Sequence, residues 1–242
     1  MSTQPEWFSH EDTVGALKQV SVATITTQLF KRGLKNRFLH GVHPLRDYGE
    51  NMVGPARTLR YVPMREDIDT LDTLGARDNV QRVVIEDMNR GDILVIDGLG
   101  MSESGSLGNI LALRLQVRGA GGMVTDGAYR DTPSIRKLDI KAYASGQNAN
   151  TNLTKYHPVD YDVTIGCGGV LVEVGDAIVG NAEGVVVIPA YLAKEVARDS
   201  LVQERREDFI YGLVGEGASV FDVYPMNADT KARYEAELVR NK

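Results

Sequence analysis

The middle of the chain alternates between strand-like and helix-like patterns. Asp92–Asp97 reads DILVID, a short continuous apolar run that is typical of a strand covered on both faces. Asn109–Arg118 is mostly apolar and predicts a helix, and GGMVT at Gly121–Thr125 predicts the next strand. Such alternation predicts a layered α/β fold, in which helices cover the faces of a sheet.

The flanking regions have different patterns. Residues 11–33 predict one helix that is capped by Asp12 or Thr13 and ends at Gly33. From Tyr161 to Pro189, short β-branched runs alternate with glycine-rich turns, which indicates antiparallel hairpins and a second sheet beside the first. The C-terminal part, from Ala190 onward, predicts charged helices.

Composition excludes several classes of protein. The chain has 242 residues, of which 43% are hydrophobic and 25% charged, and it contains no repeat and no apolar run of membrane-spanning length. We therefore expect one domain over residues 1–242, with no membrane partner. The net charge of −6 argues against a nucleic-acid partner. A single cysteine and the absence of a signal-peptide pattern at the N-terminus predict a cytoplasmic location.

The segment from Ser106 to Asp131 carries the groups that are best suited to bind a ligand or to act in catalysis. Gly108 precedes a predicted helix, whose first amide groups and positive dipole end suit a carboxylate. Arg130 has a planar guanidinium that fits a carboxylate or a keto acid, and Asp131 has the hard oxygens that Mg²⁺ or Mn²⁺ prefers. These groups together indicate chemistry on a small, negatively charged, oxygenated molecule.

The same segment carries a family resemblance. Twenty residues separate Asn109 from Arg130 in GNIL…RGAGGMVTDGAYRD. Other motifs are VGPARTLR near residue 53, GDILVIDG at 91–98 and CGGVLVEVGDAIVGNAEGVVVIP at 167–189. In combination, these motifs resemble the RraA-like family over roughly residues 13–225. That family includes class II pyruvate aldolases acting on 4-hydroxy-4-methyl-2-oxoglutarate and 4-carboxy-4-hydroxy-2-oxoadipate, and it is related to a regulator of ribonuclease activity.

The resemblance implies a layered β/β/α fold, like the swivelling phosphohistidine domain, with extra helices at both ends. It also implies a homotrimer or a homohexamer whose active sites lie between subunits. A 2-keto acid would be the substrate and Mg²⁺ or Mn²⁺ the cofactor. By position, Arg130 would be catalytic and contact the keto group, and Asp131 would hold the metal. The pyruvyl carboxylate would bind at the helix start, formed by residues Gly108, Asn109, Ile110 and Leu111.

Two positions depart from the family pattern. The aldolases of this family usually have an acid where Asn109 stands, and often a second acid where Ser134 stands. Asn109 can still form hydrogen bonds, but it carries no charge. Three functions therefore stay open: a metal-dependent aldolase or oxaloacetate decarboxylase, a metal-dependent hydratase or dehydratase of a sugar-derived keto acid, and a non-catalytic regulator that binds a ribonuclease.

Three further acids are secondary candidates. Asp97 and Asp126 lie at the ends of predicted strands, where α/β proteins bind ligands and where aspartates also cap turns. Glu103, in a glycine- and serine-rich loop, could reach the metal or simply face solvent. No lysine falls within the central motif, which argues against a Schiff-base mechanism. Substrate specificity is expected to come from loops such as 100–107 and 144–158.

Overall fold

The computed structural model describes residues 4–240. Residues 1–3 and 241–242, which the predicted domain includes, lie outside the described residues. Within the described residues, the strands are β1 (His43–Pro44), β2 (Met52–Pro63), β3 (Ile93–Asp97), β4 (Gly122–Tyr129), β5 (Ala142–Gln147), β6 (Tyr156–Tyr161), β7 (Ile165–Cys167), β8 (Val170–Val172), β9 (Ala177–Asn181) and β10 (Gly184–Ile188). The α-helices are α1 (Glu11–Leu17), α2 (Val22–Lys31), α3 (Leu71–Gly75), α4 (Val80–Glu86), α5 (Asn109–Arg118), α6 (Thr132–Ile135), α7 (Ala193–Gly215), α8 (Val220–Val223) and α9 (Ala228–Arg240).

One mixed sheet organises the fold. Its strand order is β1-β5-β4-β3-β2-β9-β10, and β6 also pairs with β2. Strands β2, β3, β4 and β5 run parallel, whereas β9 and β10 are antiparallel. The two ends of the order, β1 and β10, contact each other, so the sheet nearly closes into a barrel. The structure therefore confirms an α/β fold.

The long strand β2 joins the two halves of this sheet. Its first residues pair with β9, its middle pairs with β3, and its last residues pair with β6. Strand β3 is buried along nearly its whole length because helices and neighbouring strands cover it, as the apolar run DILVID predicts. The C-terminal ends of β3 and β4 carry the loops that precede α5 and α6.

The N-terminal region differs from its prediction. The structure contains two helices, α1 and α2, where the sequence predicted one helix over residues 11–33. The break lies before Ser21, whose hydroxyl accepts a hydrogen bond from the amide of Thr24 at 3.0 Å and caps α2. Helix α1 has no side-chain cap, so the prediction of a cap at Asp12 or Thr13 was wrong.

The remaining elements follow the expected order. Antiparallel hairpins form between β7 and β8 and between β9 and β10. The β7–β8 pair forms a separate two-stranded sheet, whereas the β9–β10 hairpin joins the main sheet through β2, so the second sheet predicted for Tyr161–Pro189 is limited to β7 and β8. Helices α1 and α2 pack against α7, which places the terminal helices together on one side. Within residues 4–240, no helix combines the length and the apolar character that crossing a membrane requires.

Candidate functional site

Two chain segments run side by side to build the site. The first, residues 104–108, leads into α5, and the second is the end of β4 with Arg130 and Asp131. The amide of Ser106 donates to the carbonyl of Ala128 at 2.7 Å, and the amide of Arg130 donates to the carbonyl of Leu107 at 3.0 Å. These bonds extend the parallel pairing of the sheet, and they fix the start of α5 beside Arg130.

Glycines allow this close approach. A Cβ atom at Gly105 would lie 2.7 Å from the Cβ of Arg130, and one at Gly108 would lie 2.9 Å from Asp131 Oδ2. Contacts below 3.0 Å require something to move. The glycine before α5 is therefore needed for packing against the Arg130–Asp131 turn as well as for starting the helix.

Asp131 has an unusual backbone conformation. Its φ angle is 55°, in the left-handed region that residues other than glycine, asparagine and aspartate rarely adopt. It also directly precedes α6 and occupies the N-cap position of that helix. Its carboxylate makes no capping hydrogen bond to α6 and turns toward α5 instead. Strain of this kind tends to occur at binding sites.

The charges of the site are close but incompletely paired. Arg130 Nε lies 3.6 Å from Asp131 Oδ2, beyond hydrogen-bond distance, and each side chain is 38% exposed. The Asn109 amide donates to the same oxygen at 3.4 Å. Arg130 Nε is buried without a hydrogen-bond acceptor among residues 4–240. A buried, unsatisfied donor of a charged group indicates a place where a ligand oxygen would be stabilised.

These groups open into one pocket of about 380 Å³. The lining residues that the sequence predicted as site residues are Gly108, Asn109, Ile110, Leu111, Arg130 and Asp131. The amides of Ile110 and Leu111, in the first turn of α5, have no hydrogen-bond acceptor within the part of the chain that the structure describes. The structure thus brings every predicted site residue together, while their chemical roles stay predictions.

A buried polar network supports this pocket from beneath. The side-chain amide of Gln81 donates to Tyr61 Oη at 2.7 Å and to the carbonyl of Ser106 at 2.8 Å. Tyr61 Oη donates to the same carbonyl at 3.0 Å, and Asn152 Nδ2 donates to Gln81 Oε1 at 3.4 Å. The carbonyl of Ser106 thus accepts hydrogen bonds from both Tyr61 and Gln81, which fixes the loop that leads into α5.

Further lining residues were missed in the sequence. They come from the segment before and within α4 and from the 3₁₀ turn after β5, and they include Leu74, Gln81, Arg82, Thr151 and Asn152. A polar residue on a short helix gives no sequence signal that it faces a pocket. Only the sheet topology, which places α4 beside the start of α5, brings these residues to the site. The loop 144–158 was expected to shape specificity, and part of it does line the pocket.

The secondary candidates lie outside this lining. Asp126 accepts hydrogen bonds from the amides of Gly98 at 2.7 Å and Gly168 at 3.1 Å, and Asp97 accepts one from Leu99 at 3.0 Å. Burial raises the pKa of both carboxyls above the ordinary value. Glu103 forms an ion pair of 2.6 Å with Lys155. These acids hold loops in place.

The side chains that line the pocket determine whether a divalent metal can bind there. Among residues 4–240, no group of three or more histidine, cysteine, aspartate or glutamate side chains is arranged to hold an ion. Mg²⁺, however, usually keeps several waters and binds through one or two carboxylates together with oxygens of its substrate. Asp131 offers one partly exposed carboxylate beside a pocket for an oxygen-rich ligand. The residues present therefore fit a metal that the substrate helps to bind.

Comparisons with known proteins find relatives of this chain. A provisionally named 4-hydroxy-4-methyl-2-oxoglutarate aldolase of Halalkalibacterium halodurans is 32% identical over 148 residues, which cover 61% of this chain and 64% of that protein. The chain thus spans less than two thirds of this relative's length. RraAS2 of Streptomyces coelicolor, whose structure is described as an unusual member of the RNase ES inhibitor RraA protein family, is 32% identical, with a TM-score of 0.75. The match covers 83% of this chain and 96% of RraAS2.

A more distant structure supports the fold alone. An uncharacterised protein of Pseudomonas syringae is 20% identical with a TM-score of 0.74, over 90% of this chain and 98% of that protein. The family model described as Aldolase/RraA matches residues 22–187, which include β2 to β5, α5 and the Arg130–Asp131 turn. The chain therefore belongs to the RraA-like family.

Proposed function

We propose that the protein is a divalent-metal-dependent lyase, which cleaves or decarboxylates a small 2-keto acid through a pyruvate enolate. The observation that carries this proposal is the convergence of Arg130, Asp131 and the free amides of α5 in one pocket. The similarity to an aldolase-named relative supports the same reaction class. An enolate is an anion, and each of these groups except Asp131 stabilises negative charge.

The α5 amides and Arg130 would share the pyruvyl half of the substrate. The amides of Ile110 and Leu111, at the positive end of the helix dipole, bind its carboxylate. Arg130, whose Nε has no acceptor within residues 4–240, donates to the keto oxygen. Because this oxygen gains charge as the bond breaks, the hydrogen bond becomes stronger in the transition state, which lowers the barrier.

Cleavage then requires one proton to leave and another to arrive. In the retro-aldol direction, the hydroxyl at C4 loses its proton while the C3–C4 bond breaks. The electron pair of that bond forms the C2–C3 double bond of the enolate, and the pair of the keto group moves onto its oxygen. Protonation at C3 releases pyruvate. Asp131 is the only carboxylate lining the pocket among the described residues, and we assign it to the metal. A water molecule would therefore accept the hydroxyl proton.

Asp131 would hold the metal. When bound, Mg²⁺ or Mn²⁺ supplies positive charge that stabilises the enolate. The Schiff-base alternative has no support, because no lysine lines this pocket within the described part of the chain.

Pyruvate release tests the proposal directly. The protein is incubated with oxaloacetate and with 4-hydroxy-2-oxoglutarate, with Mg²⁺, with Mn²⁺, or after exhaustive chelation. We expect pyruvate only when a divalent ion is present. Asp131→Asn keeps a side chain that tolerates the left-handed backbone, and it should raise the metal concentration needed for half-maximal rate. Full turnover after chelation, verified by metal analysis, would contradict metal dependence.

A second function has a specific observation in its favour. RraAS2, described with the RNase ES inhibitor family, resembles this chain at 32% identity over 83% of its length. A non-catalytic regulator that binds a ribonuclease would need no charged pocket. Absence of pyruvate release from any 2-keto acid, together with inhibition of a ribonuclease, would favour this alternative.

The site also suggests an assembly. We propose a homotrimer or a homohexamer of single domains, each with a layered β/β/α core of the swivelling phosphohistidine type, located in the cytoplasm. Helix α5, which starts in the pocket, exposes apolar side chains along one face: Ile110 is 78%, Leu113 46% and Val117 66% exposed. Such a stripe is suited to contact with another subunit beside the site. Light scattering at micromolar concentration measures the molar mass of the assembly, which distinguishes a monomer from a trimer and a hexamer.

A further inference from the structure

The pocket has a second wall that the pyruvyl half of a substrate would leave uncovered. This wall includes Leu74 and Arg82, from α3 and α4. A neighbouring cavity of about 700 Å³ is also lined by Arg82, and both cavities share Leu111. The two cavities therefore adjoin at Arg82 and Leu111, and a substrate longer than pyruvate would extend along this wall.

Arg82 is the charged residue of that wall, and its guanidinium has no ion-pair partner among residues 4–240. The acid one helical turn away, Glu86, would be its natural partner on α4. Glu86 is instead paired with Arg114 on α5, through contacts of 2.6 to 3.1 Å. The α4–α5 contact thus engages Glu86 and leaves Arg82 available to a ligand.

The charges of the pocket point to a doubly charged ligand. Its charged lining residues are Arg82, Arg130 and Asp131, so cations outnumber carboxylates even before a metal or the α5 dipole is counted. Arg130 and the α5 amides suffice for one carboxylate and its keto oxygen. A monoanionic substrate would leave Arg82 without any counter-charge, whereas a second carboxylate would receive a charge-assisted hydrogen bond from it.

We propose that Arg82 is a specificity-determining residue, which selects 2-oxo acids that carry a second carboxylate over monocarboxylic ones of the same length. The proposal rests on the proposed function for the choice of 2-oxo acids as ligands. Arg82 takes no part in bond cleavage. Its guanidinium pairs with the carboxylate on the part of the substrate that leaves when pyruvate is formed.

Binding of unreactive analogues provides the test. 2-Oxoglutarate and 2-oxopentanoate have the same five-carbon chain and the same keto acid end, and they differ in the second carboxylate. Calorimetry with Mg²⁺ present compares their Kd values for the wild type, for Arg82→Met and for Arg77→Met. Arg77 is the matched control, because it lines the neighbouring cavity but not the site pocket. Thermal unfolding of each variant shows that its fold is intact.

We expect the wild type and Arg77→Met to bind 2-oxoglutarate about tenfold more tightly than 2-oxopentanoate, because one charged hydrogen bond is gained. In Arg82→Met the two Kd values should become similar, with that of 2-oxopentanoate unchanged. A preference that persists in Arg82→Met, or that is lost equally in Arg77→Met, would overturn the proposal.

Turnover separates this proposal from the function on which it rests. If the wild type releases no pyruvate but keeps an Arg82-dependent preference, the lyase is wrong and the selection by Arg82 stands. If the wild type cleaves 4-hydroxy-2-oxo acids and Arg82→Met cleaves di- and monocarboxylic ones in the wild-type ratio, the lyase stands and the selection is wrong. Failure of the wild type to bind either analogue would overturn the selection by Arg82, while pyruvate release would still decide the lyase by itself.

Discussion

Two acidic segments near the C-terminal end of β4, around Asp126 and around Asp131, differ in how their polar atoms are satisfied. Asp126, within β4, accepts hydrogen bonds from two backbone amides, those of Gly98 and Gly168. Asp131, which follows the same strand, accepts one long bond of 3.4 Å from Asn109 and lies 3.6 Å from Arg130 Nε. The backbone saturates Asp126, whereas the groups around Asp131 keep capacity for a ligand.

This difference shows how to separate structural from functional acids. In the sequence, Asp97, Asp126 and Asp131 all follow apolar runs, and each could cap a turn or bind an ion. The structure distinguishes them by hydrogen-bond satisfaction, because buried polar groups that are fully paired hold the fold and incompletely paired ones indicate binding. Changes at the Arg130–Asp131 turn should therefore lower turnover, whereas a change at Asp126 should lower stability.

The largest expected effect is on Arg130. Arg130→Ala should lower kcat roughly 100-fold or more, by analogy with the loss of an oxyanion donor. Arg130→Lys should also be poor, because an ammonium lacks the planar fork. Steady-state pyruvate release measures both, and Arg198→Ala, which removes an exposed cation paired with Asp199, is the control. Near-normal turnover in the Arg130 variants would show that the Arg130–Asp131 turn, like the segment around Asp126, has a structural role only.

Gly108→Ala tests the geometry of the site without removing a charge. The new Cβ would lie 2.9 Å from Asp131 Oδ2 and 3.1 Å from Arg130 Cγ, so both side chains must shift. A displacement of this size should lower kcat/KM about tenfold. The control is Gly166→Ala, where nothing lies within 4 Å of the added carbon. Equal activity of the two variants would show that the close approach at Gly108 is irrelevant to turnover.

Asp126→Asn should affect stability instead of turnover. The amide group of asparagine cannot accept from both Gly98 and Gly168, so one buried donor is left unpaired, at a cost of about 1–3 kcal/mol in the free energy of unfolding. Because burial raises the pKa of Asp126 in the folded state, the native protein holds the proton more tightly than the unfolded chain does. The contribution of Asp126 to the wild-type free energy of unfolding should therefore fall as pH rises from about 3.8, the ordinary value, through the raised pKa.

Urea unfolding across this pH range measures the effect. The component of the pH dependence that belongs to Asp126 should be absent in the variant, while pyruvate release at saturating metal stays within twofold of wild type, about 0.4 kcal/mol in the barrier. A large loss of kcat with unchanged stability would place Asp126 among the functional groups and reverse the contrast between the two turns.

The sequence predicted well the helix that borders the candidate site. Helix α5 has the predicted bounds, Asn109–Arg118, because glycines flank an apolar stretch at both ends. The Arg130–Asp131 pair was found through the family motif. The single helix over residues 11–33 was wrong, since the apolar periodicity continues through a break that Ser21 creates by capping α2. Periodicity reports which face is buried, and it does not report where a helix restarts.

The long-range part of the site was not predictable. Gln81 and Arg82 reach the pocket only because β2 and β3 are parallel, so that the crossover containing α4 lies beside α5. A buried glutamine bonded to Tyr61 and Ser106 looks, in the sequence, like any polar residue of a surface helix. Contacts between residues distant in sequence depend on topology, which no local pattern specifies.

The smallest expected effect concerns the departure at Asn109. Its backbone amide donates to Asp131 Oδ2, so the position adjoins the proposed metal ligand, and the family's aldolases usually place an acid there. Asn109→Asp adds one negative charge beside the cation while leaving the amides of the α5 start in place, so the metal should bind several-fold more tightly. A Mg²⁺ or Mn²⁺ titration by calorimetry compares the two forms, and oxalate binding at saturating metal should remain.

Ser134→Asp is the second family-like substitution, and it tests whether any added acid on this turn has the same effect. Unchanged or weaker metal binding in Asn109→Asp would mean that position 109 does not face the ion, and that Asp131 alone distinguishes this turn from that of Asp126.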